Sequence, residues 1–443
     1  VLKSKLTKIM PKIRFIDLFS GIGGLRLGFE EAARALNIET ECVLSSEINK
    51  DAQLVYQTNF CDRPLGDIRL INQLPEHEIL LAGFPCQSFS YAGKKAGFGD
   101  TRGTLFFEIV RLIDTFKPQA FIFENVRGLV SHDCGQTLET IKSEMTSRGY
   151  SFDYFVLNSS NFSLPQNRVR VYLVGVLNAA PQFNLISDLG PKDSHASNHQ
   201  QLSLFYPLSK PVTVADILEY HPDSKYDCSP DFVKALKQIV NNDLNRLHGM
   251  RLIDYRGGNS IHSWELGLRG ECSLAEIELM NLFILKRRNQ EFGHHQDGKL
   301  LTKEQIASFF KHSQLDEILD SLVRKKYLQR NKELYKPVSG NFSFEVYKFL
   351  DPHKISITVV ASDANRLGVY HHHRVRRITP REAARLQGFP DSFVLDDRDD
   401  RAYHQLGNSV SVNVVKAVAL EVIGEFRSRE SVRRRVRQIE KTC

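Results

Sequence analysis

The chain has 443 residues, 42% hydrophobic and 25% charged, with a formal net charge of +7. That composition excludes a fibrous or disordered chain, fits two or three globular domains, and leaves room for a polyanionic partner. Seven cysteines at 42, 61, 86, 134, 228, 272 and 443 lack CxxC spacing, which argues against a zinc ribbon and suits a reducing compartment.

Ile13–Phe19 reads as a strand, Leu25–Leu36 as a helix and Glu41–Ser46 as a second strand. Ile79–Ala82, Ala120–Phe123 and Val171–Val176 are further short apolar strands. Their alternation with amphipathic helices predicts a doubly wound, Rossmann-like α/β domain with a mostly parallel sheet. No run approaches the ~20 apolar residues of a membrane span. Asp17 and Gly21 interrupt any leader, so a cytoplasmic protein is expected. From about 181 to 211 the pattern gives way to Pro, Ser, Asn, Asp, His and Gln, the texture of a linker. The division expected is a first domain over 1–206, completed by 404–443, and a second over 207–403.

Within the second, 272–340 has its own pattern. An apolar stretch, Leu274–Leu285, precedes a short helix at Lys303–Phe310. Leu315, Ile318, Leu319, Leu322 and Val323 then form one helical face. Tyr327–Arg330 and Glu333–Tyr335 flank a turn at Asn331-Lys332. Helices followed by a hairpin suggest a winged-helix-like insertion, although an ordinary helical insertion has the same pattern. From His404 a helical pattern through Val412, Val415, Ala419 and Val422 returns to the first domain, and Arg427–Lys441 is an Arg-rich tail.

The residues that carry chemistry lie at strand ends. Cys86, in GFPCQSFS (83–90), follows the strand Ile79–Ala82, and open α/β sheets place their sites at such carboxyl ends. Glu124 and Asn125 end the next strand, and Gln166–Arg170 adds Arg168 and Arg170. Singly, Cys86 fits a small buried hydrophobe, Glu124 a cap or salt bridge, and the arginines a surface pair. Together they supply a nucleophile, an acid and two cations. Phe19-Ser20-Gly21-Ile22-Gly23-Gly24 follows the first strand and opens a helix, where backbone N–H groups can approach a ligand. Glu47 at the second strand end can hold a ribose, and Asp67-Ile68 can meet an adenine amine. The loop Ser88–Gly103 has four glycines with Lys94, Lys95 and Arg102, as expected of a lid that closes on phosphates.

These segments occur in the order FIDLFSGIGG (15–24), GDI (66–68), GFPCQSFS (83–90), DTRGTLFFEI (100–109), FENVRGL (123–129), QNRVRVYLVGV (166–176), RITPREAARLQGFPDSF (377–393) and GNSV (407–410). In this the chain resembles the DNA (cytosine-5) methyltransferases of bacterial restriction–modification systems (EC 2.1.1.37), over about 13–180 and 374–425. The resemblance implies S-adenosylmethionine as methyl donor, with S-adenosylhomocysteine as product. Its site would be built from Phe19, Gly21, Gly23, Gly24, Glu47, Ile48, Asp67, Ile68, Pro85, Leu105, Asn408 and Ser409. It implies a flipped target cytosine, with Cys86 adding to carbon 6, Glu124 at ring nitrogen 3 and Arg170 at the 2-oxo group. Arg168 would position Cys86 and Glu124, and Asn125 would shape the Pro85–Cys86 backbone. Residues 207–403 take the place of the target recognition domain, with Ser356–Val359 where the family has a Thr-Leu pair. Ser90, Lys94, Lys95, Arg102, Arg256, Asn259, His262, Arg366 and Arg374 are candidate DNA contacts. His371–His373 are read as phosphate or base contacts rather than metal ligands. The implied partners are double-stranded DNA and a companion restriction endonuclease. A monomer near the bacterial nucleoid is expected. An RNA cytosine methyltransferase and a DNA-binding regulator on an inactive scaffold are the competing readings.

Overall fold

Phe15, Ile16 and Leu18 are fully buried on both faces of the first strand, so it lies inside a sheet covered on both sides. The computed structural model describes residues 12–85, 105–187, 212–254, 260–294, 299–338 and 344–440, with backbone alone from 428. In chain order the first segment gives β1 (Lys12–Leu18), α1 (Gly24–Ala35), β2 (Glu39–Ser46), α2 (Lys50–Phe60), β3 (Ile79–Ala82), α3 (Leu105–Phe116), β4 (Ala120–Val126), α4 (Gln136–Ser147), β5 (Asp153–Asn158) and β6 (Val169–Val176). The six strands form one sheet in the order β2-β1-β3-β4-β6-β5. The first four are parallel, while β6 runs antiparallel between β4 and β5.

The chain then forms α5 (Pro230–Ile239), β7 (Arg251–Leu252), β8 (Ser260–Ile261), α6 (Leu274–Lys286), β9 (Leu301–Thr302), α7 (Lys303–Phe309), α8 (Leu315–Arg324), β10 (Leu328–Asn331), β11 (Leu334–Pro337), β12 (Lys348–Leu350), β13 (Leu367–His371) and β14 (Arg374–Arg377). It finishes with α9 (Pro380–Leu386), α10 (Asp399–Asn408) and α11 (Val412–Glu440). Two compact units result. The first comprises Val1–Ile217, Ile355–Ala364 and Pro380–Cys443; the second comprises Leu218–Lys354 and Asn365–Thr379.

The expected boundaries therefore shift: 212–217, 355–364 and 380–403 belong with the first unit. Backbone hydrogen bonds are the cause. Asn167 N–H donates to Ser356 O (2.8 Å), and Ser356 N–H donates to Pro165 O (2.7 Å). Buried Gln166 accepts from Val359 N–H (2.8 Å) and donates to Leu386 O (2.8 Å). Gln387 in turn donates to Leu406 O (3.0 Å). A buried amide network that satisfies so many groups is hard to break.

In the first unit, one sheet face packs Leu25 and Phe29 of α1 with Val415, Val418 and Val422 of α11. The other packs Phe106 and Ile109 of α3 with Leu138 and Ile141 of α4. Helices thus cover both faces, as the alternation predicts. Within Asp399–Arg427 an 18-residue window has a mean hydropathy of 1.4, and 67% of that window is buried inside the protein.

The second unit has two cores. One lies under the five-stranded sheet β14-β13-β12-β7-β8 with Phe232 and Leu236 of α5. The other surrounds Trp264 with Leu279, Phe283, Leu319, Leu322 and Tyr327, beside the three-stranded sheet β10-β11-β9.

Candidate active site

Strand β1 has β2 on one side and β3 on the other. Their crossovers leave in opposite directions, and open α/β sheets bind ligands at the carboxyl ends of such neighbours. The glycine loop sits there. Phe19 has φ 55°, a left-handed conformation rare outside glycine and asparagine. Gly23 has φ 93°, and a Cβ there would meet the Phe60 ring at 2.2 Å, so only glycine fits. Gly24 brings α1 against the other wall: its Cβ would lie 2.7 Å from Ser409 Oγ.

An open pocket of about 710 Å³, counting the solvent at its mouth, is lined by Phe19, Gly21, Gly24, Glu47, Asn408 and Ser409, and also by Glu124. The Glu47 carboxylate accepts from Gly21 N–H (2.9 Å) and Asn49 N–H (2.7 Å), which fixes it at the rim. Ser20 lines the pocket as well, and its buried hydroxyl has no partner among the described residues. A glycine loop, an anchored carboxylate and an unsatisfied hydroxyl fit a nucleoside-bearing cofactor.

Other expected cofactor residues stand outside that lining. The Ile68 side chain is buried in the core, and Ile48 is 70% exposed. Asp67 is chelated by Arg69, with Nε to Oδ2 at 2.9 Å, and this partner holds its carboxyl below the usual range. Pro85 and Leu105 flank the undescribed segment 86–104. Sequence reasoning missed Asn49, His404 and Gln405 among the lining residues. Helical spacing could have found the last two, since they precede Asn408 by one turn on α10.

On the floor, Glu124 of β4 pairs with Tyr172 of β6 in antiparallel register, which puts both on the face that also bears Arg170 and Arg168. Arg170 Nε lies 3.3 Å from Glu124 Oε1. Burial pushes the Glu124 carboxyl up, against the pull of Arg170 and then Arg168. Arg168 also reaches the pocket wall. Its guanidinium donates to the carbonyls of Val359 (2.7 Å), Gly407 (3.2 Å) and Ser409, so it clamps the wall of the pocket. Its Nε and the Tyr172 hydroxyl are buried without partners among the described residues. Asn125 Nδ2 donates to Phe84 O (2.9 Å), in the loop that leads to Cys86.

Cys86, Ser90, Lys94, Lys95, Arg102, Arg256 and Asn259 lie outside the described residues. The remaining DNA-contact candidates fall in the second unit. His262 is buried against Trp264 (ring centroids 4.4 Å apart), and its Nδ1 sits 2.6 Å from Ile253 O. Arg374 pairs with Asp227 (2.8 Å) and donates to Pro222 O (2.8 Å). Arg366 lies over the Tyr347 ring at 5.8 Å. His371–His373 form the tip of the β13–β14 hairpin, with His372 and His373 at positive φ.

A family model described as C-5 cytosine-specific DNA methylase matches residues 13–424. The type II methyltransferase M.BanI of Aneurinibacillus aneurinilyticus is 56% identical over 407 residues, 92% of this chain and 95% of its own length. The type II methyltransferase M.HgiCI of Herpetosiphon aurantiacus is 56% identical over 412 residues, 93% and 97% of the two chains. The solved Entamoeba histolytica methyltransferase EhMeth has a TM-score of 0.50 at 17% identity, covering 94% of this chain and 99% of its own. At that identity the likeness concerns the fold.

Proposed function

Because the chain belongs to the C-5 cytosine-specific DNA methylase family and so methylates carbon 5 of cytosine in DNA, we propose that it does so through a covalent Cys86 adduct, as the modification enzyme of a type II restriction–modification pair. Carbon 5 is a poor nucleophile. Addition of the Cys86 thiolate to carbon 6 pushes electrons into the ring and makes carbon 5 an enamine carbon. Glu124 gives a proton to ring nitrogen 3 as the sulfur adds, which removes the developing negative charge; its burial supports that role by favouring the protonated acid. Arg170 offers its guanidinium to the 2-oxo oxygen and keeps Glu124 oriented. S-adenosylmethionine, bound by Phe19, Glu47, Asn408 and Ser409, would supply an electrophilic methyl group. Once carbon 5 carries the methyl group, a water takes the carbon 5 proton, the Cys86 sulfur leaves as thiolate, and the nitrogen 3 proton returns to Glu124.

The observation that carries this reading is that Glu124 opens into the same pocket as the glycine loop, Glu47 and Asn408–Ser409. Acid and cofactor loop thus serve one reacting centre. We assign target recognition to the second unit, and read α6 through β11 as a winged helix: helix, strand, two helices, then a hairpin whose second strand pairs with the first strand. The DNA substrate and the companion endonuclease follow from the relatives' designation as type II methyltransferases.

The test uses purified protein, S-adenosylmethionine and an unmethylated plasmid library, sequenced at base resolution for methylcytosine. Methylation in one short motif that vanishes in Cys86→Ala supports the covalent route. A Cys86→Ala protein that still methylates at the wild-type rate overturns it.

A further inference from the structure

The winged-helix-like module segregates its charge in an unusual direction. In helix-turn-helix modules the second helix of the pair enters the groove. Here that helix is α8, and its buried positions are Leu315, Ile318, Leu319 and Leu322. Its exposed face therefore presents Asp316, Glu317 and Asp320, with Arg324 the one cation at its end. Asp316 is shared with Lys303 at 2.6 Å, whereas Glu317 and Asp320 have no cation partner among the described residues. Such a face is repelled by phosphates.

The hairpin has the opposite character. Its register is Gln329 with Lys336 and Asn331 with Leu334 on one face, Leu328 with Pro337 and Arg330 with Tyr335 on the other. Leu328, Tyr335 and Pro337 are buried, so the first face meets solvent. Lys326 enters the hairpin, Lys332 occupies its turn and Lys336 lies on the solvent face, none in an ion pair among the described residues. The sole carboxylate there, Glu333, is held by Arg330 at 3.4 Å. Lys326 and Lys332 have φ values of 61° and 55°. Asparagine or glycine relaxes that conformation, yet a long cation stands at both positions.

We propose that the β10–β11 hairpin binds the phosphate backbone of duplex DNA through Lys326, Lys332 and Lys336, with α8 turned away from it. This rests on the reading of the chain as a DNA methyltransferase and adds a contact made outside the catalytic pocket. The full-length protein with Lys326→Asn, Lys332→Asn and Lys336→Gln is compared with wild type for binding to a random-sequence duplex across a salt series. Asparagine tolerates the left-handed positions, and unchanged emission of Trp264, buried in the same core, verifies the fold.

Each phosphate contact adds about 0.9 to the slope of log K against log salt. Loss of three lowers it by about 2.7, with weaker affinity at low salt and wild-type kcat at saturating DNA. Three Lys→Arg changes at the same positions restore the slope. A triple neutral variant with wild-type slope and affinity overturns the proposal. So does an Asp316→Asn, Glu317→Gln, Asp320→Asn variant that raises affinity at low salt as much as the hairpin variant lowers it. A wild-type protein that binds with this hairpin-dependent slope but transfers no methyl group sinks the enzymatic reading and supports the hairpin contact.

Discussion

Replacement of Arg168 by lysine tests how the pocket is held together. The guanidinium bonds three backbone carbonyls from two returning segments, Val359, Gly407 and Ser409. One ammonium on a shorter stem keeps the charge but serves one of them well. Each lost charge-assisted bond is worth about 1.5–3 kcal/mol, so two lost bonds with partial repair by water give a loss of about 2–4 kcal/mol. Arg168 is 2% exposed, so that repair rests on a water entering the space left by the shorter side chain. Urea unfolding followed by far-UV circular dichroism reads the stability. Calorimetric titration with S-adenosylhomocysteine reads the pocket, because Asn408 and Ser409 line it, and affinity should fall at least several-fold. If Arg168→Lys keeps wild-type stability and cofactor affinity and alters the pH profile of catalysis alone, the clamp is refuted and Arg168 acts chiefly on Glu124.

Glu124→Gln should lower kcat about 10²–10⁴-fold, the span of general acid catalysis. Since burial raises the Glu124 pKa, wild-type kcat should persist above the usual carboxylate range and then fall as pH rises; a kcat–pH profile should show that limb disappear in the variant. Asp17, pushed up to about 7 by burial, keeps a proton on folding that the unfolded chain releases above about pH 4. The contribution of Asp17 to stability is therefore fullest below that pH and falls as pH rises to about 7, by up to ~4 kcal/mol at about 1.4 kcal/mol per unit; Asp17→Asn should remove this contribution from urea midpoints taken at pH 5 and pH 8. A Cβ at Gly28 would lie 2.6 Å from Val415 Cβ and 2.8 Å from Val412 O, so Gly28→Ala should cost about 1–3 kcal/mol. Gly424, with nothing within 4 Å, should accept alanine with a gain of roughly 0.5–1 kcal/mol, and thermal melts should separate the two.

The parts of the site legible in the sequence are those where a buried strand ends in a motif. Ile79–Ala82 and Ala120–Phe123 are continuous apolar runs because both their faces are covered, and Glu124 follows at once. Phe19, Glu47, Asn408 and Ser409 belong to such motifs and lie round one pocket. Strand order was not legible: periodicity shows which faces are buried, not that β6 would enter antiparallel between β4 and β5. The return of 355–364 was equally hidden, since Asn167–Ser356 and Gln166–Val359 hydrogen bonds leave no apolar pattern. His262 looked like an exposed reader because its partner, Trp264 stacked on it, is a matter of packing.

The division of the first unit into three chain segments has a consequence for synthesis. The apolar face of α1 is covered by Val415, Val418 and Val422 of α11, and the whole second unit is made between them. At ~5–20 residues per second, the roughly 200 residues from Ile217 to Phe426 take about 10–40 s to leave the ribosome. During that interval a nascent sheet carries an uncovered hydrophobic surface, exposed to chaperones and to neighbouring chains. Premature termination anywhere in the second unit would release a fragment that is both inactive and prone to aggregate. A cell that makes this protein therefore gains no partial protection from incomplete chains.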